Sequence, residues 1–384
     1  MSHMRIASLS IGSGLVLLCI SALAAAQSQP RLPLSIPFKF ENNQVYLRVA
    51  INHSEPRLFV LDSGASGCVI DTGVARRLGL AIEGERQGTG AGKGTVKIKF
   101  AKDVNYSLAG LSFTVPQSYV IDLSGQPALI GRELAGILGS DFFMQYVVEV
   151  DYEAQVMTLY DPATFKAAAS ATAIPVTITR KTPYIKIGIT LAGRERAERV
   201  VQIDSGSGDA VDDDTLAQSP QKLEIVGGVG LGQEFRTVLA RAQKVDIGPF
   251  VLEQPTGATG GVQLIGTEVL RRFLVVFDYN HSRIFLTANS HLRDPFVFDA
   301  SGLSLRWSQD LTAFIAHDVA SASPAAEAGL TTEDKIVAIN GQAADQFRIE
   351  QVQTMLTQAG KEYELSVMRG SELLSLKIKL RKRL

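Results

Sequence analysis

Two short stretches of the chain, FVLDSGASG (59–67) and VQIDSGSGD (201–209), share one pattern, an apolar run that ends in Asp-Ser-Gly. Further along, GILGSDFFMQYVVEVDY (136–152) aligns with QLIGTEVLRRFLVVFDY (263–279) without a gap. Strand-like sequence precedes both Asp-Ser-Gly turns. Because several motifs recur in the same order, the sequence indicates a tandem duplication of one structural unit.

Each repeat also has a glycine-rich stretch, GTGAGKGT (88–95) in the first and GGVGLG (227–232) in the second. The first stretch departs from a phosphate-binding loop, because Gln87 stands at the first glycine position and Gly94 replaces the serine or threonine after Lys93. Alternating sequence typical of a strand follows both stretches. We predict two flexible hairpin tips over a shared cleft, with these flap and substrate-binding residues: Gly88, Gly90, Gly92, Gly228, Gly230 and Gly232.

Length and composition are those of a folded globular protein of two or three domains. The chain has 384 residues, of which 46% are hydrophobic and 20% are charged. Its formal net charge of −1 provides no basic field for nucleic acid, so we expect no nucleic-acid partner. Short strands with frequent turn signals predict a mainly β fold in both repeats.

Residues 1–26 have the layout of a secretory signal peptide. Arg5 precedes the apolar run GLVLLCISALAAA (14–26), which ends in small residues suited to cleavage. We expect an exported protein, periplasmic or secreted, that meets a membrane only if this segment stays uncleaved as an anchor. Its removal leaves Cys68 as the single cysteine, so no intramolecular disulfide is expected.

No metal or other cofactor is expected. The histidines are scattered and lack the spacing of a zinc site. The acidic run 212–214 lacks the spaced ligands of a calcium loop and is better explained as the start of a helix. Cys68 has no histidine partner in its motif, so we predict a small buried residue there.

The doubled pattern resembles the pepsin and retropepsin family of aspartic proteases, over roughly residues 34 to 290. That family carries Asp-Thr/Ser-Gly twice, and each copy is completed by two hydrophobic residues and a glycine, as at 137–139 and 264–266 here. The resemblance implies a two-lobed acid protease β-barrel fold. The lobes would span 34–165 and 174–290, with KAAASATA (166–173) as their linker.

The resemblance also implies that Asp62 and Asp204 are the catalytic residues, and that Ser63 and Ser205 tie the two turns together across a pseudo-twofold axis. Two carboxyls about 3 Å apart cannot both ionise cheaply, so such a pair keeps one shared proton. One aspartate then acts as a base toward water while the other donates to the scissile carbonyl.

The residues after each serine support this arrangement. Gly64 and Gly206 let the two turns come close enough to share a proton. The hydroxyl of Ser207 is expected to donate to the carboxylate of Asp204, a contact that the alanine at the matching position of the first turn cannot make. This difference would bias the shared proton toward Asp62.

Residues 300–384 resemble a PDZ domain. ASPAAEAGLTTEDKIVAINGQ (322–342) predicts a short helix, a turn and a strand, and RIEQVQTMLTQAG (348–360) predicts a second helix before two closing strands. The resemblance implies that a peptide ligand adds as a strand beside a carboxylate-holding loop. That loop would lie near SQDLTAF (308–314), which lacks the glycine-rich form of the family.

Two functions follow from these patterns. The first is an aspartic endopeptidase whose PDZ domain recruits protein substrates or partners. The alternative is a catalytically idle scaffold that keeps the protease fold and binds peptides. Retention of both aspartates with both glycines favours the enzyme.

Overall fold

The structure, a computed structural model, describes residues 29–90, 94–227 and 235–384. Strands dominate and the helices are short, which confirms the mainly β fold. Two protease-like lobes share a central sheet, and an α+β domain follows them.

The first lobe contains the Asp-Ser-Gly turn of the first repeat. Its elements are β1 (Leu34–Pro37), β2 (Lys39–Glu41), β3 (Gln44–Ile51), β4 (Arg57–Leu61), β5 (Val69–Asp71), α1 (Thr72–Arg77), β6 (Ile82–Gly88), β7 (Val96–Leu108), β8 (Leu111–Ile121), α2 (Gln126–Ile130), β9 (Gly136–Leu138), α3 (Ser140–Phe143), β10 (Val147–Asp151) and β11 (Val156–Tyr160). One sheet has the order β2-β3-β4-β9-β5-β8-β7-β6 and curls back through a further pairing of β3 with β7. Helix α1 begins after Asp71, whose carboxylate accepts from Val74 N, and ends before Gly79.

The second lobe repeats this plan. Its elements are β12 (Thr172–Pro175), β13 (Thr177–Thr179), β14 (Thr182–Thr190), β15 (Ala197–Asp204), β16 (Val211–Asp212), β17 (Lys222–Gly227), β18 (Phe235–Arg241), β19 (Lys244–Ile247), β20 (Phe250–Glu253), β21 (Thr256–Ala258), β22 (Leu264–Gly266), α4 (Thr267–Leu270), β23 (Phe273–Asp278) and β24 (Arg283–Ala288), with 3₁₀ turns at Asp214–Gln218 and Tyr279–His281. One sheet has the order β16-β22-β15-β14-β19-β20, and β17, β18 and β21 form another. The proposed linker is shorter than predicted, because its last two residues already belong to β12 and pair with β24.

A sheet of order β1-β11-β10-β23-β24-β12 joins the lobes. Its central pair, β10 and β23, comes from the two copies of the long repeat and runs antiparallel, with Val150 opposite Val275. One continuous apolar core extends from the first lobe through this sheet into the second. The two half-sites are therefore fixed relative to each other by a shared core within a single chain.

The glycine-rich stretches lie at the ends of hairpins. Strand β6 pairs with β7 up to Gly88 opposite Val96, and β17 pairs with β18 up to residue 227 opposite 235. A strand, where a phosphate loop needs a helix, follows the first stretch, which confirms the hairpin interpretation. Gly92, Gly228, Gly230 and Gly232 lie outside the described residues, as does the predicted signal peptide.

The C-terminal domain has its own core. Its elements are β25 (Leu303–Trp307), β26 (Phe314–Val319), α5 (Pro324–Glu327), β27 (Lys335–Ile339), β28 (Gln342–Ala343), α6 (Ile349–Leu356), β29 (Glu362–Arg369) and β30 (Glu372–Lys379), with a 3₁₀ turn at Ala344–Gln346. The sheet order β25-β26-β27-β29-β30 leaves β25 at an edge, and α6 packs against it. No helix within the described ranges is long and apolar enough to cross a membrane.

Candidate active site

Asp62 and Asp204 occupy equivalent places at the ends of two strands. Strand β4 leads into Asp62 beside the parallel strand β9, and β15 ends at Asp204 beside the parallel strand β22. Each carboxylate is held by two backbone N–H groups of its own turn. Oδ1 of Asp62 accepts from residues 64 and 65, both over 2.8 Å, and Oδ1 of Asp204 accepts from residues 206 and 207 over 2.9 and 3.1 Å.

The glycines in the two turns allow the carboxyls to meet. A Cβ on Gly64 would lie 2.7 Å from Cγ of Asp204, and a Cβ on Gly206 would lie 2.4 Å from Cγ of Asp62. Real Cβ atoms do not approach other atoms this closely, so any larger residue would push the turns apart. Each carboxyl therefore lies against the glycine of the opposite turn, and the two carboxyl groups interact.

The hydrophobic-hydrophobic-glycine segments brace the turns from behind. A Cβ on Gly139 would lie 2.2 Å from the carbonyl oxygen of Gly67, and one on Gly266 would lie 2.4 Å from that of Asp209. Glycine is required at both places because another backbone passes so closely. The two copies of the motif therefore perform the same structural task in each lobe.

Ser63 and Ser205 form a reciprocal network between the lobes. Ser63 Oγ donates to the carbonyl of Ile203 (2.9 Å) and accepts from Ser205 N (3.0 Å). Ser205 Oγ donates to the carbonyl of Leu61 (3.0 Å) and accepts from Ser63 N (2.9 Å). Both serines are fully buried. Every donor is satisfied across the lobe boundary, so the turns are held in a fixed mutual position.

Burial controls the ionisation of the aspartate pair. Burial, followed by the negative charge of Asp62, raises the pKa of Asp204 well above its ordinary value. Burial also raises the pKa of Asp62, against the opposing effect of its backbone hydrogen bonds. Because two touching carboxylates repel, the pair retains one proton at a pH where isolated aspartates are ionised.

The expectation for Ser207 is wrong. Its hydroxyl donates to Asp209 Oδ2 over 3.2 Å and accepts from Asp209 N, so only its backbone N–H reaches Asp204. The first turn makes the same backbone contact from its alanine. The hydroxyl turns away because the local Ser207–Asp209 turn satisfies it, and the proposed bias of the shared proton toward Asp62 loses its basis.

The site also contains two glutamines, Gln44 and Gln202, that the sequence motifs do not reveal. Gln202 Nε2 donates to the carbonyl of Gly64 (3.0 Å), and Gln44 Nε2 donates to the carbonyl of Gly206 (2.6 Å). Each therefore holds the Asp-Ser-Gly turn of the opposite lobe. Gln202 leaves a weak signal, since it is a polar residue in an apolar strand where the first repeat has Val60.

Two glycines at the first hairpin differ in backbone conformation: Gly94 has positive φ, at 84°, whereas Gly88 does not. Gly88 instead permits a close cross-strand approach, because a Cβ there would lie 2.2 Å from Cδ1 of Ile98. The conformational freedom of this hairpin is thus used at Gly94. The flap role of Gly88 and Gly90 stays a prediction.

The remaining candidates have structural roles. Asp213 caps the 3₁₀ turn at 214–218 by accepting from Thr215 N, and it pairs with Arg199 over 2.8 Å, so the acidic run does begin a helical turn. Across the described ranges, no group of three or more His, Cys, Asp or Glu is arranged to hold a metal ion. Cys68 is fully buried, and burial raises the pKa of its thiol to about 12.

The loop proposed for carboxylate capture in the C-terminal domain is already closed by its own side chains. Ser308 Oγ accepts from Ala313 N over 3.1 Å at the end of β25. At the beginning of β25, Asp299 accepts from the N–H groups of Ser301 (3.0 Å) and Gly302 (2.6 Å), and Arg383 pairs with it. The N–H groups at both ends of β25 are therefore occupied.

Comparison with known families agrees with the fold. Residues 47–142 match the family model for aspartyl protease, and residues 302–380 match the model for the PDZ domain. The first match includes Asp62, and the second contains β25 through β30. A comparison with curated proteins found no match. The family matches confirm the resemblance to a protease with a C-terminal PDZ domain.

Proposed function

We propose that this chain, which carries an aspartyl protease domain and a C-terminal PDZ domain, is an aspartic endopeptidase that cleaves peptide bonds in exported proteins. The observation that carries the proposal is the apposition of Asp62 and Asp204, each in a glycine turn that admits the other carboxyl. Raised pKa values keep one proton on the pair, which suits it for acid and base work at once.

The mechanism follows from this shared proton. The ionised carboxylate accepts a proton from a water molecule, and the protonated carboxyl donates to the carbonyl oxygen of the scissile bond. The water oxygen attacks the carbonyl carbon to form a tetrahedral intermediate. This intermediate collapses when the carboxyl that took the water proton passes it to the leaving nitrogen, and the other carboxylate recovers its proton from a hydroxyl of the intermediate. The Ser63–Ser205 network keeps the two carboxyls in position during these transfers.

The test compares four purified proteins on a mixed peptide library. Wild type should cleave, and Asp62→Asn and Asp204→Asn should each lose about three orders of magnitude or more in kcat, because an amide cannot exchange the shared proton. Asp103→Asn is the matched control, since Asp103 is an exposed residue of β7 with φ of 47°, which asparagine tolerates. Unchanged cleavage in either dyad variant would refute the assignment.

The same experiment distinguishes the endopeptidase from the catalytically idle scaffold. A scaffold would leave every library peptide intact while still binding some of them, and the Asn variants would then bind as wild type does. Millimolar EDTA should leave cleavage unchanged, because a pair of carboxyls that activates water by proton transfer needs no metal.

The PDZ domain is proposed to recruit the substrate or a partner as an extended peptide at the edge strand β25. Because the N–H groups at the start of that strand already donate to the Asp299 carboxylate, a free terminal carboxylate of the ligand contributes little to binding. The signal-like segment 1–26 supports action outside the cytoplasm. Fractionation of cells that express the full chain tests this location.

A further inference from the structure

The tight turn between β2 and β3, ENNQ (41–44), contacts its own lobe, the second lobe and the PDZ domain. Asn42 and Asn43 both have left-handed backbones, with φ of 51° and 52°, as in a two-residue hairpin turn. The turn belongs to the first lobe, yet its side chains reach the second catalytic turn and the PDZ domain. A two-residue turn closes through its own backbone, so the hairpin itself does not need these contacts.

Gln44 holds the glycine that follows the second catalytic aspartate. Its Nε2 donates to the Gly206 carbonyl over 2.6 Å, and Tyr46 donates its hydroxyl to Gln44 Oε1, also over 2.6 Å. Because a carbonyl only accepts, one orientation of the amide satisfies both contacts. Burial raises the pKa of Tyr46 to about 12, so its hydroxyl keeps its proton. The N–H of the same peptide group, that of Ser207, donates to Asp204 Oδ1 over 3.1 Å, which places Gln44 one peptide group from the catalytic carboxyl.

Asn43 grips the same loop at a second point. Its Nδ2 donates to the carbonyl of Gly208 (3.1 Å) and to Glu268 Oε2 (3.0 Å). Glu268 is itself fixed by ion pairs with two arginines of the second lobe. The turn therefore fastens the 206–208 segment at two carbonyls, and a movement of the turn moves the segment that carries hydrogen bonds to Asp204.

Glu41 connects this turn to the PDZ domain. Its carboxylate pairs with Arg132 of the first lobe and, through Oε1, with Arg348 Nη1 over 3.1 Å. The Glu41 side chain is only 13% exposed, so it depends on its cationic partners. The Arg132 guanidinium lies over the ring of Tyr46, 4.7 Å from the centroid. When Arg348 is lost, Arg132 is the remaining one of these two partners of Glu41. We expect the Arg132 guanidinium then to shift from its position over the Tyr46 ring.

Arg348 belongs to the part of the PDZ domain where we propose that peptides bind. It is the N-cap residue of α6, the helix that packs against the edge strand β25. Helix α2 of the protease lobe packs against the same strand, and the backbone at Gly131 approaches the indole of Trp307. A peptide that adds to β25 must therefore share this space with α6 and α2. We expect it to shift α6, the helix whose N-cap residue pairs with Glu41.

We propose that the 41–44 turn positions the second catalytic turn and that Arg348 makes this positioning depend on the state of the PDZ domain. Gln44 is a positioning residue that acts through Gly206 on Asp204. Ligand binding that moves α6 changes the hold of Arg348 on Glu41, and so changes kcat while leaving the dyad itself intact. This inference rests on the proposed proteolytic function.

The first experiment probes Gln44 in the full chain. Gln44→Ala should lower kcat about tenfold with little change in KM, the effect of one lost hydrogen bond near the reacting groups. Gln44→Glu keeps the shape but donates to Gly206 only when protonated. Its kcat relative to wild type should therefore recover as the pH falls through the titration of glutamic acid. A ratio that is independent of pH would overturn the positioning role.

The second experiment probes the link to the PDZ domain. Arg348→Ala should lower kcat about threefold, Arg348→Lys should retain most of it, and Arg348→Ala should add nothing in a Gln44→Ala background. Arg381→Ala is the matched control, because Arg381 pairs with Glu327 inside the PDZ domain and lies outside both β25 and α6. Full additivity of Arg348→Ala and Gln44→Ala, or equal loss in Arg381→Ala, would overturn the link.

A measurement without catalysis keeps the two proposals distinguishable. Hydrogen exchange of the segment around 204–208 should be faster in Arg348→Ala than in wild type or Arg381→Ala, because Gly206 loses part of its support. If wild type cleaves no peptide, the proposed function fails while the exchange result still decides the coupling. Unchanged exchange in Arg348→Ala would refute the coupling whatever the activity.

Discussion

At the scale of single residues, the hydroxyls of Ser63 and Ser205 do what no other polar group in the two turns does. Each donates to one carbonyl and accepts from one N–H of the opposite lobe, with full burial. Removal of one hydroxyl leaves a buried N–H and a buried carbonyl without partners, which costs more than the bond itself contributes.

We expect Ser63→Ala and Ser205→Ala each to lower the free energy of unfolding by about 1–3 kcal/mol per unpaired group. Urea denaturation of the full chain measures this loss. Ser35→Ala is the control, since the hydroxyl of Ser35 bonds to Thr158 at an exposed site, and its change should stay within about 0.5 kcal/mol. Equal stability of all three variants would contradict the network.

The raised pKa of the dyad gives a second prediction, on pH and stability. In the folded state the pKa values of Asp62 and Asp204 lie above the unfolded values, so protonation favours the fold. Their contribution is fully present below the ordinary aspartate value of about 4 and is lost as the pH rises through the folded values.

Asp204→Asn removes the second charge and keeps acceptors for the two N–H groups of its turn. We expect this variant to be more stable than wild type at pH 7, and the difference to shrink as the pH falls toward 4. Urea denaturation at several pH values measures the difference. A difference that does not change with pH would show that repulsion in the dyad does not burden the fold.

At the scale of elements, the β6–β7 hairpin and the β7–β8 hairpin offer a controlled comparison. Gly94 near the tip of the first and Gly110 at the tip of the second both have φ of 84°. Alanine at either site should cost about 1–3 kcal/mol of backbone strain. Only the first hairpin is proposed to cover the cleft.

Gly94→Ala should therefore lower kcat several-fold by shifting the hairpin away from its closing conformation, whereas Gly110→Ala should leave kcat unchanged. Both variants should show a similar small decrease in melting temperature. Peptide cleavage and thermal melting of the two proteins measure these effects. Equal kcat in both would remove the β6–β7 hairpin from the catalytic cycle.

At the scale of the whole molecule, both half-sites belong to one chain and share a core across β10 and β23. Assembly of the dyad is thus part of folding, and it needs no second copy. We expect specific activity to stay constant as the protein is diluted from micromolar to nanomolar concentration. A fall in specific activity on dilution would indicate that a second copy completes the site.

The sequence by itself determined the duplication, the mainly β fold and the hairpins, and the family resemblance implied the pairing of the two Asp-Ser-Gly turns. Strands and hairpins are readable because a turn or a strand period is set by neighbouring residues. The order of motifs also predicted which turns correspond, and the structure brings Asp62 and Asp204 into contact.

Only the tertiary structure decided which side chains support that pair. Gln44 contacts Gly206 at a separation of 162 residues, and Gln202 contacts Gly64 at 138, so no local pattern marks either glutamine as part of the site. Ser207 shows the converse, since a hydroxyl three residues from Asp204 turns to Asp209 instead. The contact of Glu41 with Arg348 depends on how the PDZ domain packs against the first lobe, a matter of surface shape and charge that the linear order of residues does not encode in any recognisable motif.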